Sequence, residues 1–175
     1  MRVPAVRTIF TIGYEGTDIE RFVATLVDVG VDVLLDVRAV TVSRKKGFSK
    51  NGLRVRLEVE GIKYVHLQGL GDPKPGREAA RAGRYDEFRS IYGRHLAEPE
   101  AQEALALLTT ISKEQTVCLM CFERDPKVCH RSIVALAVTD KPGAVFDLYG
   151  DVPGRYRNAS IRQGRHPYQG APAAE

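Results

Sequence analysis

Five short apolar runs punctuate the chain, and the stretches between several of them carry helical spacing. The first run, residues 8–12, stops at Gly13 and predicts a strand. Thr17 and Glu20, three positions apart, form a capping box that starts a helix. Ile19, Phe22, Val23, Leu26 and Val27 then recur at helical spacing, and Gly30 stands where a C-terminal cap residue belongs. The second run, residues 31–37, follows at once. Strand, helix and strand with joins this short predict a βαβ unit, hence a parallel pair.

Residues 38–51 read as a loop. The next stretch reads two ways. Leu53, Val55, Leu57 and Val59 alternate with Arg54, Arg56, Glu58 and Glu60, which is strand periodicity, whereas Ser49 and Gly61 are placed to start and stop a helix. Residues 62–67 form a third run. Residues 68–84, rich in glycine, proline and charge, read as loop. Helical spacing returns over residues 85–97 with Phe88, Ile91, Tyr92 and Leu96, and Pro99 suits the first turn of another helix through Leu105, Leu108 and Ile111. Residues 116–121 are almost wholly apolar, which predicts a central strand buried on both faces. Cys129-His130-Arg131 opens a helix reaching residue 138, and residues 144–149 are the last strand. The expectation is a single three-layer α/β domain over residues 1–152. Its sheet is mostly parallel, of about five strands flanked by helices. A basic tail, residues 153–175, has little apolar content and is expected to be mobile.

Composition narrows the picture further. At 175 residues the chain has the length of one domain. No apolar run reaches the roughly 20 residues of a membrane span, and the first eight residues are too short and polar for a signal peptide. A cytoplasmic protein without membrane contact is expected. The three cysteines, Cys118, Cys121 and Cys129, are an odd number without a secretion signal, so free thiols are expected. Of the net charge of +4, the tail holds +3. A nearly neutral body with a basic tail is weaker evidence for nucleic acid than a uniformly basic domain. Neither a P-loop nor a dinucleotide fingerprint occurs, Gly69 and Gly71 being a weak glycine signal, and no cofactor is expected.

Open parallel sheets bind ligands at the carboxyl ends of their strands. Those ends here carry Gly13, Tyr14 and Glu15; Asp36 and Arg38; His66; and Cys121 and Glu123. The helix opened by Cys129, His130 and Arg131 begins beside them. Polar groups from four strands thus converge on one rim.

These segments are familiar. Thr11-Ile12-Gly13-Tyr14-Glu15-Gly16, Asp36-Val37-Arg38 with Ser43-Arg44, and Cys121-x-Glu123 followed by Asp125-Pro126 and Cys129-His130-Arg131 together resemble the family called domain of unknown function 488, over roughly residues 8–140. Relatives often have histidine where this chain has Tyr14 and asparagine or glycine where it has Glu15. Proline is common in their loop after Asp-Val-Arg, where this chain has Ala39. The resemblance implies an α/β fold and a helix at residues 51–60. It implies no assigned reaction.

Each candidate group has two readings. A four-ligand zinc site from Cys118, Cys121, Cys129 and His130 is disfavoured, because residues three apart on a strand face opposite sides of the sheet. Cys118 is expected to be a core thiol, and no metal ligand is assigned. Cys121 and Cys129 are candidate nucleophiles or substrate contacts, or else small packing residues. No cysteine-to-arginine spacing matches a Cys-x5-Arg phosphatase loop, and no rhodanese-type loop is evident. Arg38, Arg44 and Arg131 would hold an anion, or pair with Asp36, Glu15 or Glu123. Glu15, Glu123 and His130 are the candidate proton carriers, and His66 reads as a core histidine. Residues 38–57 hold seven basic side chains, no acidic one and a lone aromatic, Phe48. They read as a mobile loop that either contacts nucleic acid or is simply solvated. The leading expectation is an enzyme acting on a phosphate-bearing substrate, a nucleotide or nucleic acid. The alternatives are a non-catalytic nucleic-acid-binding module and a thiol or metal sensor.

Overall fold

The computed structural model describes residues 7–139 and 141–157. In chain order the elements are β1 (Ile9–Gly13), α1 (Ile19–Val29), β2 (Val33–Asp36), α2 (Lys50–Val59), β3 (Lys63–His66), α3 (Lys74–Arg81), α4 (Tyr85–Leu96), α5 (Pro99–Glu114), β4 (Val117–Cys121), α6 (His130–Thr139) and β5 (Val145–Tyr149). The five strands form one all-parallel sheet in the order β3-β2-β4-β1-β5. The expected α/β architecture is therefore present, with the apolar strand β4 at its centre and every residue of it buried.

Alternation along the strands sorts the core into two layers. Phe10, Ile12, Leu34, Cys118 and Met120 face α1 and α2, where Phe22, Leu26, Leu53 and Leu57 meet them. Ile9, Val33, Leu35, Leu119 and Cys121 face the other way, onto Ala79, Phe88, Tyr92, Leu108 and Val134 of α3 to α6. Cys118 and Cys121 thus lie on opposite faces, as their spacing requires. The helix after β1 covers one face and the helix after β4 covers the other. The loops leaving these adjacent strands diverge, opening a crevice at their carboxyl ends.

The two readings of residues 53–60 are decided by exposure. Leu53 and Leu57, four apart, are fully buried, whereas Val55 and Val59 are 57% and 75% exposed. One apolar stripe on a helix accounts for this, and a strand does not. Ser49 precedes the first turn, yet its hydroxyl donates to the Ser43 carbonyl and accepts from the Ser43 amide instead of capping the helix.

Three expectations are corrected. The N-cap of α1 is Asp18, whose carboxylate accepts from the Arg21 amide, while Thr17 Oγ1 donates to the Gly150 carbonyl at 2.5 Å. Residues 68–84 are not all loop. They hold a 3-10 turn, Gln68–Leu70, and the helix α3, which tolerates Pro75 because its first turn has no amide partners to lose. The beginning of the basic tail is docked: Tyr156 is buried against Phe146, and its hydroxyl accepts from the Tyr149 amide at 2.8 Å. Residues 158–175 of that tail lie outside the described residues. Among the described residues no helix is long and apolar enough to cross a membrane.

Candidate functional site

The carboxyl ends of β1, β2 and β4, the start of α6 and the whole length of α3 enclose a cleft of about 610 Å³. That volume is within the usual range for small-molecule sites. Gly13 makes the arrangement possible without lining the cleft. A Cβ there would lie 1.8 Å from the Glu123 carbonyl oxygen, so only glycine lets the loops after β1 and β4 run this close. The backbone ladder continues past the strand ends, Tyr14 N–H to Cys121 C=O and Glu15 N–H to Phe122 C=O, at 3.3 and 2.8 Å.

On one side of the floor, Arg38 and Asp36 close on each other. Arg38 Nε and Nη2 donate to Asp36 Oδ1 and Oδ2 at 2.9 and 2.7 Å. Its Nη1 donates to the Phe48 carbonyl and the Tyr14 hydroxyl, at 2.8 and 3.2 Å. Tyr64 and the Arg38 amide complete the donors around Asp36. Burial opposes the charge on Arg38, but Asp36 outweighs it and keeps the guanidinium protonated. His66 Nε2–H donates to the Arg38 carbonyl at 2.9 Å. The loop expected to be mobile is pinned by these bonds and by Lys45, which donates to the Tyr14 carbonyl at 3.1 Å. Phe48 is fully buried and stacked on Tyr14 with ring centroids 4.5 Å apart. It is a core residue, not a platform for a base.

On the other side are sulfur and imidazole. His130 is the first residue of α6, and its Nε2–H donates to the Val37 carbonyl at 2.7 Å. That bond turns Nδ1 toward the sulfurs, 3.7 Å from Cys121 Sγ and 3.9 Å from Cys129 Sγ. Tyr92 packs behind the ring at 5.1 Å, itself anchored by a hydrogen bond to the Leu70 carbonyl. Cys121 Sγ also lies 3.1 Å from Glu123 Oε2. The two thiols diverge in acidity. Hydrogen bonding to Cys129, together with burial, pushes Cys121 well up. Burial also opposes ionisation of Cys129, but the Cys121 thiol, Arg131 and His130 outweigh it and hold Cys129 well below the ordinary thiol range. Burial works against the charged form of His130 as well, yet the Cys129 charge raises it to about 9.

Of the residues anticipated from sequence, Tyr14, Glu15, Arg38, Cys121, Glu123, Cys129 and His130 line the cleft. Glu15 also accepts from the Arg124 amide at 2.9 Å. Asp36 sits behind Arg38. Arg131, expected to present its fork to an anion, is fully buried below the floor, where it donates to Thr11 Oγ1 and to the Glu123 and Arg124 carbonyls. Arg44 is exposed and outside the lining.

Residues 18–138 match the family described as domain of unknown function DUF488. The chain belongs to that family. The DUF488 match takes in Asp36, Arg38, Cys121, Glu123, Cys129, His130 and Arg131, while Gly13, Tyr14 and Glu15 precede it. No curated protein and no solved structure matches the chain.

Sequence reasoning missed the wall contributed by residues 72–81. Asp72 lines the cleft and is buried, and its Oδ1 has no hydrogen-bond partner. Burial lifts its carboxyl to about 6 against the opposing pull of His130, Arg77 and His95. Lys74, Arg77 and Arg81 follow on α3 and line the cleft too. Their spacing, i, i+3 and i+7, is one face of a helix and was the available signal. It was hidden because the stripe is charged instead of apolar.

Proposed function

We propose that this DUF488 protein is an enzyme acting on a phosphate-bearing substrate, a nucleotide or a nucleic-acid end, bound in the cleft beside β4. One observation carries the reading: the cationic stripe Lys74, Arg77 and Arg81 lines the same cleft as Cys121, Glu123, Cys129 and His130. The stripe supplies charge for phosphate oxygens. Arg38, closed on Asp36, shapes the wall, and Arg131 fixes the loop that carries Glu123. Aromatic rings also line the cleft, and two of them, Tyr85 and Phe122, remain 37% and 44% exposed and free to stack on a base. Glu15, Asp72, Glu78 and Glu123 face the same space. Carboxyl groups beside cations suit a ligand that combines phosphate with the amino and imino donors of a base. Glu123, against the Cys121 sulfur, is the group placed to move a proton at the floor.

The test is binding and turnover with a panel of nucleoside phosphates and short single strands. Replacing Lys74, Arg77 and Arg81 together by alanine is expected to weaken binding about tenfold or more, equivalent to about 1.4 kcal/mol. Glu123→Gln is expected to keep binding and lose turnover. Equal affinity of the parent and the triple variant for every phosphate ligand would end the proposal. A non-catalytic nucleic-acid-binding module would instead show steep salt dependence with no turnover to lose.

A further inference from the structure

We propose that Cys121, Cys129 and His130 hold a divalent metal ion of the zinc class, with the fourth coordination position open to the cleft. The inference rests on the reading of the cleft as the substrate site and names what its floor holds.

The donor set comes first. Two thiols and an imidazole nitrogen are the ligand types that zinc and similar borderline ions take. Their ligand atoms all lie within 4.8 Å of one another. The Nδ1 to Sγ separations are 3.7 and 3.9 Å. A tetrahedral ion with bonds of about 2.3 Å to sulfur and about 2.05 Å to nitrogen needs S···N edges of about 3.6 Å. The two S···N separations thus stand within a few tenths of an ångström of such edges, while the S···S separation, within 4.8 Å, closes toward about 3.8 Å as the side chains turn onto the ion.

The second support is orientation. The Nε2–H to Val37 carbonyl bond turns the ring so that Nδ1, whose proton a bound ion would replace, points at the two sulfurs. A backbone carbonyl on the far nitrogen is the arrangement that holds and polarises a ligating histidine. Tyr92 closes the back of the ring. The ligands come from the end of the central strand and the start of a helix, so regular elements fix their backbone positions.

The third support is what the cluster lacks. Cys118, the other half of the Cys-x-x-Cys pair, is buried in the opposite layer of the core and cannot be the fourth ligand. Three protein ligands with an open position distinguish catalytic zinc sites from closed structural ones. All three ligands line the cleft, together with Glu123 and Asp72. An ion there would present a Lewis acid to a substrate oxygen or to water, and the two carboxyls would be at hand for protons. In this arrangement the two thiolates are ligands and not nucleophiles.

The test uses the full chain, reduced, loaded with zinc and separately with cobalt(II), and measured without substrate. The expected result is one metal per chain, with a thiolate-to-cobalt charge-transfer band and the strong visible bands of a tetrahedral site. Cys121→Ser and Cys129→Ser are each expected to abolish it, and Cys118→Ala to leave it unchanged. Alkylation mapped by mass spectrometry guards against variants that fail to fold, because in the parent protein zinc should shield Cys121 and Cys129 together. No uptake by the freshly reduced parent, or uptake that survives loss of either thiol, would overturn the proposal. So would zinc that leaves the alkylation of both thiols unchanged. Because metal uptake is read without a phosphate ligand, its failure and the failure of the substrate reading are separate results.

Discussion

Two buried polar groups share the floor of the cleft and are built on opposite principles. Around Asp36 and Arg38 most donors and acceptors are closed: both carboxylate oxygens accept two bonds each, and the guanidinium reaches a carboxylate, a carbonyl and a hydroxyl. Around Cys121, Cys129 and His130 the far nitrogen is anchored, while Nδ1 and two sulfurs face one another at the cleft floor. The first group is architecture, since a buried charge is tolerated when its partners are complete. The second brings two sulfurs and an imidazole to an open cleft, which is what a ligand-binding centre requires. The group of softer donors on the cleft, not the closed ion pair, marks the chemistry.

The sharpest way to break the contrast is to open the closed side. Asp36→Ala leaves Arg38 buried without its counter-ion and is expected to destabilise the fold by about 3–5 kcal/mol, measured by urea unfolding. A loss below 1 kcal/mol would show that the pair is not structural.

A smaller effect is expected at Asp72, where the open side carries a charge it does not need. Its folded pKa of about 6 lies above the ordinary 3.8. The folded state therefore binds the extra proton between these values, and stability falls as pH rises from about 4 to about 6. The penalty is absent below that window and fully present above it. Asp72→Asn is expected to stabilise the chelator-treated protein by about 3 kcal/mol at pH 7.5 and by almost nothing at pH 3.5. Denaturation at the two pH values checks the sign. The smallest effect belongs to Arg44, exposed and outside the cleft. Arg44→Ala is expected to change stability by less than about 0.5 kcal/mol and to leave phosphate-ligand affinity as it was.

What could be read from the chain before its fold was known follows the same division. The strands were legible because each is a short apolar run, and the opposite facing of Cys118 and Cys121 followed from a period of two. Helix α2 was ambiguous because its valines imitate alternation, and only their exposure separates the readings. The convergence of Tyr14, Arg38, Cys121 and His130 was legible from the rule that strand ends share a rim. The fate of each side chain on that rim was not. Arg131 turns inward because carbonyls of the loop above it need donors, and Phe48 is taken by the ring of Tyr14. The orientation of the His130 ring is set by a carbonyl 93 positions away. These are contacts between distant segments and leave no periodic trace. Helix α3 escaped notice because its cleft-facing stripe is cationic.

The continuation of the β1–β4 ladder beyond both strands has a consequence for how such a protein can diversify. Because Tyr14 and Glu15 are still bonded to the backbone of Cys121 and Phe122, the reactive groups inherit the fixed frame of the sheet. The wall that meets them is an eight-residue helix with an exposed charged face. Ligand preference can thus drift by exchanging residues along that helix while the reacting atoms stay where they are, so related chains are free to share one chemistry and differ in what they accept.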